Sequence, residues 1–124
     1  MDYVATPNAP KAIGPYSQAV KANGVVYTSG QIALDPATGE VVPGDFEAQA
    51  RRVFDNLAAV LKEAGSDFSR VLKATVYLTD LANFQTLNAI YAERFGDHKP
   101  ARTTVQVSAL PKGGAVEVDL VALV

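Results

Sequence analysis

The sequence predicts an α+β fold of element order ββαβαββ, with two helices packed on one face of a mixed sheet. Three observations carry this prediction. Strand-like runs flank an Asn-Gly pair near the N-terminus, a three- and four-residue apolar period runs from Asp45 to Gly65, and β-branched runs surround a second, shorter helical pattern.

The N-terminal hairpin turns at Asn23-Gly24, the dipeptide that most readily accepts the positive backbone angles of a tight turn, giving strands over 17–22 and 25–32. The segment "LDPATGEVVPGD" carries Pro36, Gly39, Pro43 and Gly44 and reads as a loop. From Asp45, the residues Phe46, Ala50, Val53, Phe54, Leu57, Val60, Leu61 and Ala64 form one apolar stripe of a helix of about twenty residues. Asp45 can cap its start and Gly65 can end it. "VLKATVYLT" is apolar and β-branched enough for a buried strand. Asp80 precedes a second helix in which Leu81, Phe84, Leu87, Asn88, Tyr91 and Phe95 share a face, with Asn88 the odd polar member; Gly96 closes it. Two last strands follow over 103–108 and 115–123, and the "KGG" at 112–114 between them reads as a hairpin loop rather than a phosphate cradle.

Several strands are apolar on both alternating faces. In the last one, Val116, Val118, Leu120 and Ala122 point one way and Glu117, Asp119, Val121 and Leu123 the other. Two helices cover only one face, so a homo-oligomer with packed sheets is the expected cover for the second.

Composition narrows the function. The 124 residues are expected to form one domain, 1–124, with 48% apolar and 19% charged residues, which is ordinary for a folded chain. Eleven basic against thirteen acidic residues leave a net charge of -2, which gives no footprint for nucleic acid. There is no cysteine, and the lone His98 supports no metal site, so neither a thiol nucleophile nor a bound metal or cofactor is expected. With no signal-like start and no run near the roughly 18 apolar residues of a membrane span, the cytoplasm is the expected location.

The chemistry left to the chain uses carboxylates, arginine, hydroxyls, backbone groups and water. Arg102 follows Pro100-Ala101 and opens a strand; by itself it reads first as a solvated arginine lying over apolar surface, and second as a planar fork for a carboxylate or phosphate. Glu117 is either an edge carboxylate in water or, inside an interface, an acid whose pKa rises enough for proton transfer. Asp119, two residues on, reads as a structural ion-pair partner. Tyr16 follows the bend "IGP", Ser29-Gly30 interrupts a strand where a ligand could approach the backbone, and each also has a purely structural reading, as does Asn88.

The segments "AIGPYSQAV", "VYTSGQIALDPATGEVV", "ARRVFDNLAAVLKEAGSDFSRVLKATVYLTDLANFQTLNAIYAERF" and "PARTTVQVSALPKGGAVEVDLVAL" together resemble the RidA (YjgF/YER057c/UK114) family of imine and enamine deaminases, over about residues 5–123. The resemblance implies a chorismate-mutase-like homotrimer with a barrel-like core of sheets, helices outside and three clefts between subunits. It implies that Arg102 clamps a substrate carboxylate, that Glu117 positions or protonates water, and that Tyr16, Ser29, Gly30, Phe84 and Asn88 line the cleft. The implied reaction needs no cofactor: 2-iminobutanoate or 2-iminopropanoate is hydrolysed to a 2-oxo acid and ammonia. Many members carry a cysteine where this chain has Thr104, and a smaller residue where it has Thr103, which points to a reshaped pocket. Two alternatives remain beside this: a trimer that binds small 2-oxo acids without turnover, and a ribonuclease or translation inhibitor, against which the net charge weighs.

Overall fold

The computed structural model describes residues 1–124. The strands are β1 (Asp2–Val4), β2 (Ala19–Ala22), β3 (Val25–Thr28), β4 (Val71–Leu78), β5 (Ala101–Gln106) and β6 (Val116–Leu123); the helices are α1 (Phe46–Ala64) and α2 (Phe84–Phe95). All six strands join one mixed sheet in the order β1-β2-β3-β6-β4-β5. Only β4 and β5 run parallel, joined through α2, as a crossover connection requires.

Local chemistry sets the elements. The β2–β3 turn holds Asn23 at φ 53° and Gly24 at φ 78°, both in the left-handed region where this dipeptide is tolerated. Asp45 caps α1, its Oδ1 accepting from Ala48 N at 3.0 Å, and the Gly65 N–H closes the last turn on Leu61 O and Lys62 O. The buried stripe of α1 includes Val53, Phe54, Leu57, Val60 and Leu61, which belong to a core of 23 buried apolar residues between the helices and one sheet face. Asn56 is a buried exception. It donates to Leu34 O at 3.0 Å and accepts from Arg52 Nε at 3.0 Å, so it ties the loop after β3 to the helix.

The structure corrects several boundaries. β1 was not expected: a three-residue strand leaves no periodic trace. β2 and β3 are shorter than the alternation implied because Ser29-Gly30 ends the ladder, which resumes only at the isolated bridge between Gln31 and Val118. Leu81–Asn83 form a 3₁₀ turn capped by Asp80, and α2 begins after it, at Phe84. β5 begins at Ala101, so Arg102 lies inside the strand. The "KGG" segment is not a hairpin loop. β4 lies between β5 and β6, so the connection passes the end of β4 and includes a 3₁₀ turn, Pro111–Gly113.

The second sheet face is open, as the two-sided apolar pattern implied. It carries Tyr27, Val105 and Leu123, which are 52%, 38% and 42% exposed, together with Lys73, Thr75, Tyr77, Glu117 and Asp119.

Candidate functional site

Two clusters of polar side chains stand out, on opposite faces of the sheet. Arg102 is in register with Ala74, and Ala74 with Leu120, so Arg102 points to the buried, helix-covered side. Glu117 pairs with Tyr77, on the open side. Alternation along each strand makes this placement obligatory once the register is set.

The first cluster forms where β5 meets α2. Phe84, Asn88 and Tyr91 recur at helical spacing and present one stripe to the strand. Arg102 Nη1 donates to Asn88 Oδ1 at 2.7 Å, and its guanidinium carbon lies 4.7 Å from the Tyr91 ring centre and 5.5 Å from that of Phe84. Asn88, the odd polar residue of the apolar stripe, is therefore the arginine's positioning partner. The guanidinium is half-buried yet unpaired: the chain's three ion pairs involve only Arg51 and Arg94. One of its five donors is used on Asn88, and the others are available to an anion. Nearby, the hydroxyls of Tyr91 and Thr104 are buried without a hydrogen-bond partner, and burial pushes the Tyr91 phenol up despite the adjacent guanidinium.

The second cluster centres on Glu117. The bridge of Gln31 N to Val118 O, at 2.9 Å, and of Val118 N to Gln31 O, at 3.1 Å, lays Gly30 against β6. A Cβ at Gly30 would stand 2.6 Å from Glu117 Oε2 and 2.7 Å from its Cδ, so any side chain there would displace the Glu117 carboxylate from its present position. The strand-interrupting glycine thus answers to the neighbouring carboxylate. Tyr16, Gln18, Gly30, Gln31 and Glu117 line a cavity of about 270 Å³. The IGP bend places Tyr16 there, with its N–H donating to Gly14 O at 2.9 Å. Ser29 does not line this cavity. Its hydroxyl donates to Ser17 O at 2.5 Å, and its side chain borders a separate groove with Tyr16 and Tyr27.

Burial, and then the neighbouring Asp119, raise the Glu117 carboxyl above the usual carboxylate range. Asp119 is raised too, mainly by burial, although it accepts from Tyr77 Oη at 3.1 Å. Asp119 therefore has a mate that the sequence did not reveal. Because the folded-state pKa of Glu117 is raised, its contribution to stability is full below the unfolded-state pKa and is lost as pH rises through the folded value. Glu117→Gln is accordingly expected to melt higher than the parent at neutral pH, with the gap closing as pH falls below the ordinary glutamate pKa. A variant that melts lower at neutral pH would refute the desolvation account.

The chain has relatives along its whole length. The family model described as Endoribonuclease L-PSP matches residues 6–124. The chain belongs to the RidA family. A bovine RidA-family relative named 2-iminobutanoate/2-iminopropanoate deaminase is 48% identical over 97% of this chain and 88% of its own length. The crystal structure of RidA from an Antarctic Psychrobacter superposes with a TM-score of 0.96 at 44% identity, covering all of both chains. Escherichia coli TdcF, solved with bound serine, gives a TM-score of 0.94 at 40% identity over 100% of this chain and 99% of its own. The α+β architecture is therefore that of the RidA structures. No helix is long and apolar enough to cross a membrane.

Sequence reasoning passed over Tyr77 and gave Tyr91 only a place in the apolar stripe. The trace of Tyr91 was its position seven residues after Phe84 and three after Asn88; that of Tyr77 was alternation with Thr75, which has no meaning until β4 is registered against β6.

Proposed function

We propose that this RidA-family chain is a 2-iminobutanoate/2-iminopropanoate deaminase, working as a homotrimer whose clefts join the Arg102 cluster of one copy to the Glu117 cluster of the next. The observation that carries the reading is the half-buried guanidinium of Arg102, held by Asn88 and two aromatic rings and paired with no carboxylate of its own chain. Burying a cation without a counter-ion is costly, and a ligand carboxylate accepting two parallel hydrogen bonds offsets that cost. The bovine relative's name and the serine bound to TdcF support a small amino-acid-like ligand.

Chemically, the clamp orients the 2-imino acid by its carboxylate. Water adds to the C=N carbon, forming a C–O bond as the C=N π electrons move to nitrogen. Glu117 takes a proton from the water and returns one to nitrogen. In the resulting carbinolamine the hydroxyl proton passes by way of Glu117 to the amino nitrogen, the C=O forms as the C–N bond breaks, and ammonia and the 2-oxo acid leave. A carboxyl with a raised pKa suits this shuttle, because it can both accept and return a proton. Free imines already hydrolyse in water, so orientation and one proton relay are sufficient help. A ribonuclease reading draws no support from a chain of net charge -2.

The direct test couples a serine or threonine dehydratase to semicarbazide, which traps the free imine. Added protein is expected to lower the trapped adduct in proportion to its concentration; an unchanged adduct yield rejects the deaminase. Gly30→Ala supplies a finer check. The new methyl at 2.6 Å from Oε2 forces the Glu117 carboxylate to swing away. kcat/KM should fall about ten- to a hundredfold, or ~1.4–2.7 kcal/mol in the barrier. The melting temperature should move little, since the displaced atoms are the tip of a flexible side chain. Wild-type kinetics in this variant would remove Glu117 from the mechanism.

A further inference from the structure

Two carboxylates stand on the open face of the sheet, and the proton shuttle uses only one of them. Glu117 and Asp119 occupy alternate positions of β6, so both project from the same side. Both are half-buried, and neither is ion-paired. What separates them is the set of groups that each meets on β4.

Asp119 is well supplied with partners. Its Oδ2 accepts from Tyr77 Oη at 3.1 Å, Thr75 stands directly opposite it in the ladder, and the Thr75 hydroxyl and the Lys73 ammonium both favour its charged form. Lys73 is itself fixed, its Nζ donating to Thr103 Oγ1 at 2.7 Å. Glu117 has no such donors. Its ladder partner is Tyr77, whose hydroxyl is given to Asp119, and its carboxyl is governed by burial and by the Asp119 charge. Tyr16, Lys11 and Lys112 line the cavity beside Glu117 without an ion pair to it, and Lys112 Nζ is bound to Gly39 O at 2.8 Å. From β3, Tyr27 lies opposite Val121, one same-face position beyond Asp119. In the proposed cleft, Arg102 of the next copy completes the set and is the same in every variant below.

We infer that Asp119 is a positioning residue for the reaction: held as a fixed anion by Tyr77, Thr75 and Lys73, it makes Glu117 a stronger base toward the attacking water. This rests on the deaminase reading and deepens it. An anion on the same sheet face disfavours a second one, so Glu117 holds a proton more firmly, and a carboxylate that does so takes one from water more readily. The two acids divide the work because their surroundings differ: one stays charged, and the other exchanges protons.

The test is the pH dependence of kcat/KM, measured on one imine for parent and variants so that the substrate's own ionisation is common to all. Asp119→Asn removes the charge but keeps the shape and an acceptor for Tyr77. Its acidic limb, where Glu117 gains a proton, is expected to move to lower pH. One pH unit below the parent's midpoint, kcat/KM as a fraction of each protein's own plateau should be about two- to fivefold higher in the variant. The plateau itself should fall, because a weaker base then serves the reaction. Tyr77→Phe, which leaves Asp119 easier to protonate, should move the limb the same way by less. A purely structural Asp119 would lower the plateau or the melting temperature and leave the midpoint in place; that outcome, or a limb moved to higher pH, overturns the inference. An independent readout is the carboxyl carbon resonance of Glu117, identified by its loss in Glu117→Gln and followed against pH in the full-length protein without substrate. Should no imine be hydrolysed, the deaminase reading falls and this titration decides alone. A Glu117 midpoint lowered in Asp119→Asn sustains the control of one acid by the other, and an unchanged midpoint overturns it.

Discussion

Arg102→Ala is expected to reduce kcat/KM for 2-iminopropanoate by on the order of 10²- to 10⁴-fold, the equivalent of losing two charge-assisted hydrogen bonds of about 1.5–3 kcal/mol each. The geometry makes the guanidinium hard to replace. Its plane is fixed by Asn88 Oδ1 at 2.7 Å and by packing against Tyr91 and Phe84, so the fork is pre-aimed and little side-chain entropy remains to be lost on binding. Arg102→Lys keeps the charge but neither the fork nor the planar stacking, and should recover only a minor part of the loss. Asn88→Ala, which frees the fork without removing it, should chiefly raise KM. A stopped assay for the 2-oxo acid measures all three. Activity of Arg102→Ala within a few-fold of the parent would return Arg102 to a structural role and take the mechanism with it.

The elements governed by local chemistry were legible in the sequence, and the contacts governed by register were not. Helix α1 shows the first kind: its stripe, the Asp45 cap and the Gly65 stop are consequences of residues a few positions apart. So is the Asn23-Gly24 turn. The strand order is the second kind. Nothing near β5 says that it pairs with β4 in parallel, or that β6 inserts between β3 and β4, because those pairings are chosen by burial across the whole sheet. The site divides the same way. Asn88 was visible as a polar interruption of an apolar stripe, and Gly30 as a glycine breaking a strand, but their partners, Arg102 and Glu117, lie 14 and 87 residues along the chain. The facing of the two charged residues was least accessible. Each strand alternates, yet the parity of β5 relative to β6 is set through β4, where Ala74 fixes Arg102 and Tyr77 fixes Glu117.

That opposition of faces yields the second large effect. Arg102 lies under α2 and Glu117 on the open side of the same sheet, so no single copy can bring both to one imine. If the active cleft is shared, two variants that are each nearly inactive, Arg102→Ala and Glu117→Gln, should regain activity when their subunits are mixed. A cleft is whole when the copy supplying the arginine is the glutamine variant and the copy supplying the glutamate is the alanine variant. With equal amounts and random exchange, each condition holds for one half of the subunits, so about a quarter of the parent activity should return. The open face that would make the contact exposes Tyr27, Val105 and Leu123, apolar enough to hold an assembly and free of β-ladder partners beyond its own strands. Exchange can be driven by mild denaturant and confirmed by native mass spectrometry on chains of different tag mass. Recovery that rises with the fraction of mixed trimers supports a cleft built by neighbours. Mixed trimers without recovery would mean that Arg102 and Glu117 never serve the same substrate, and the proton relay would need another donor.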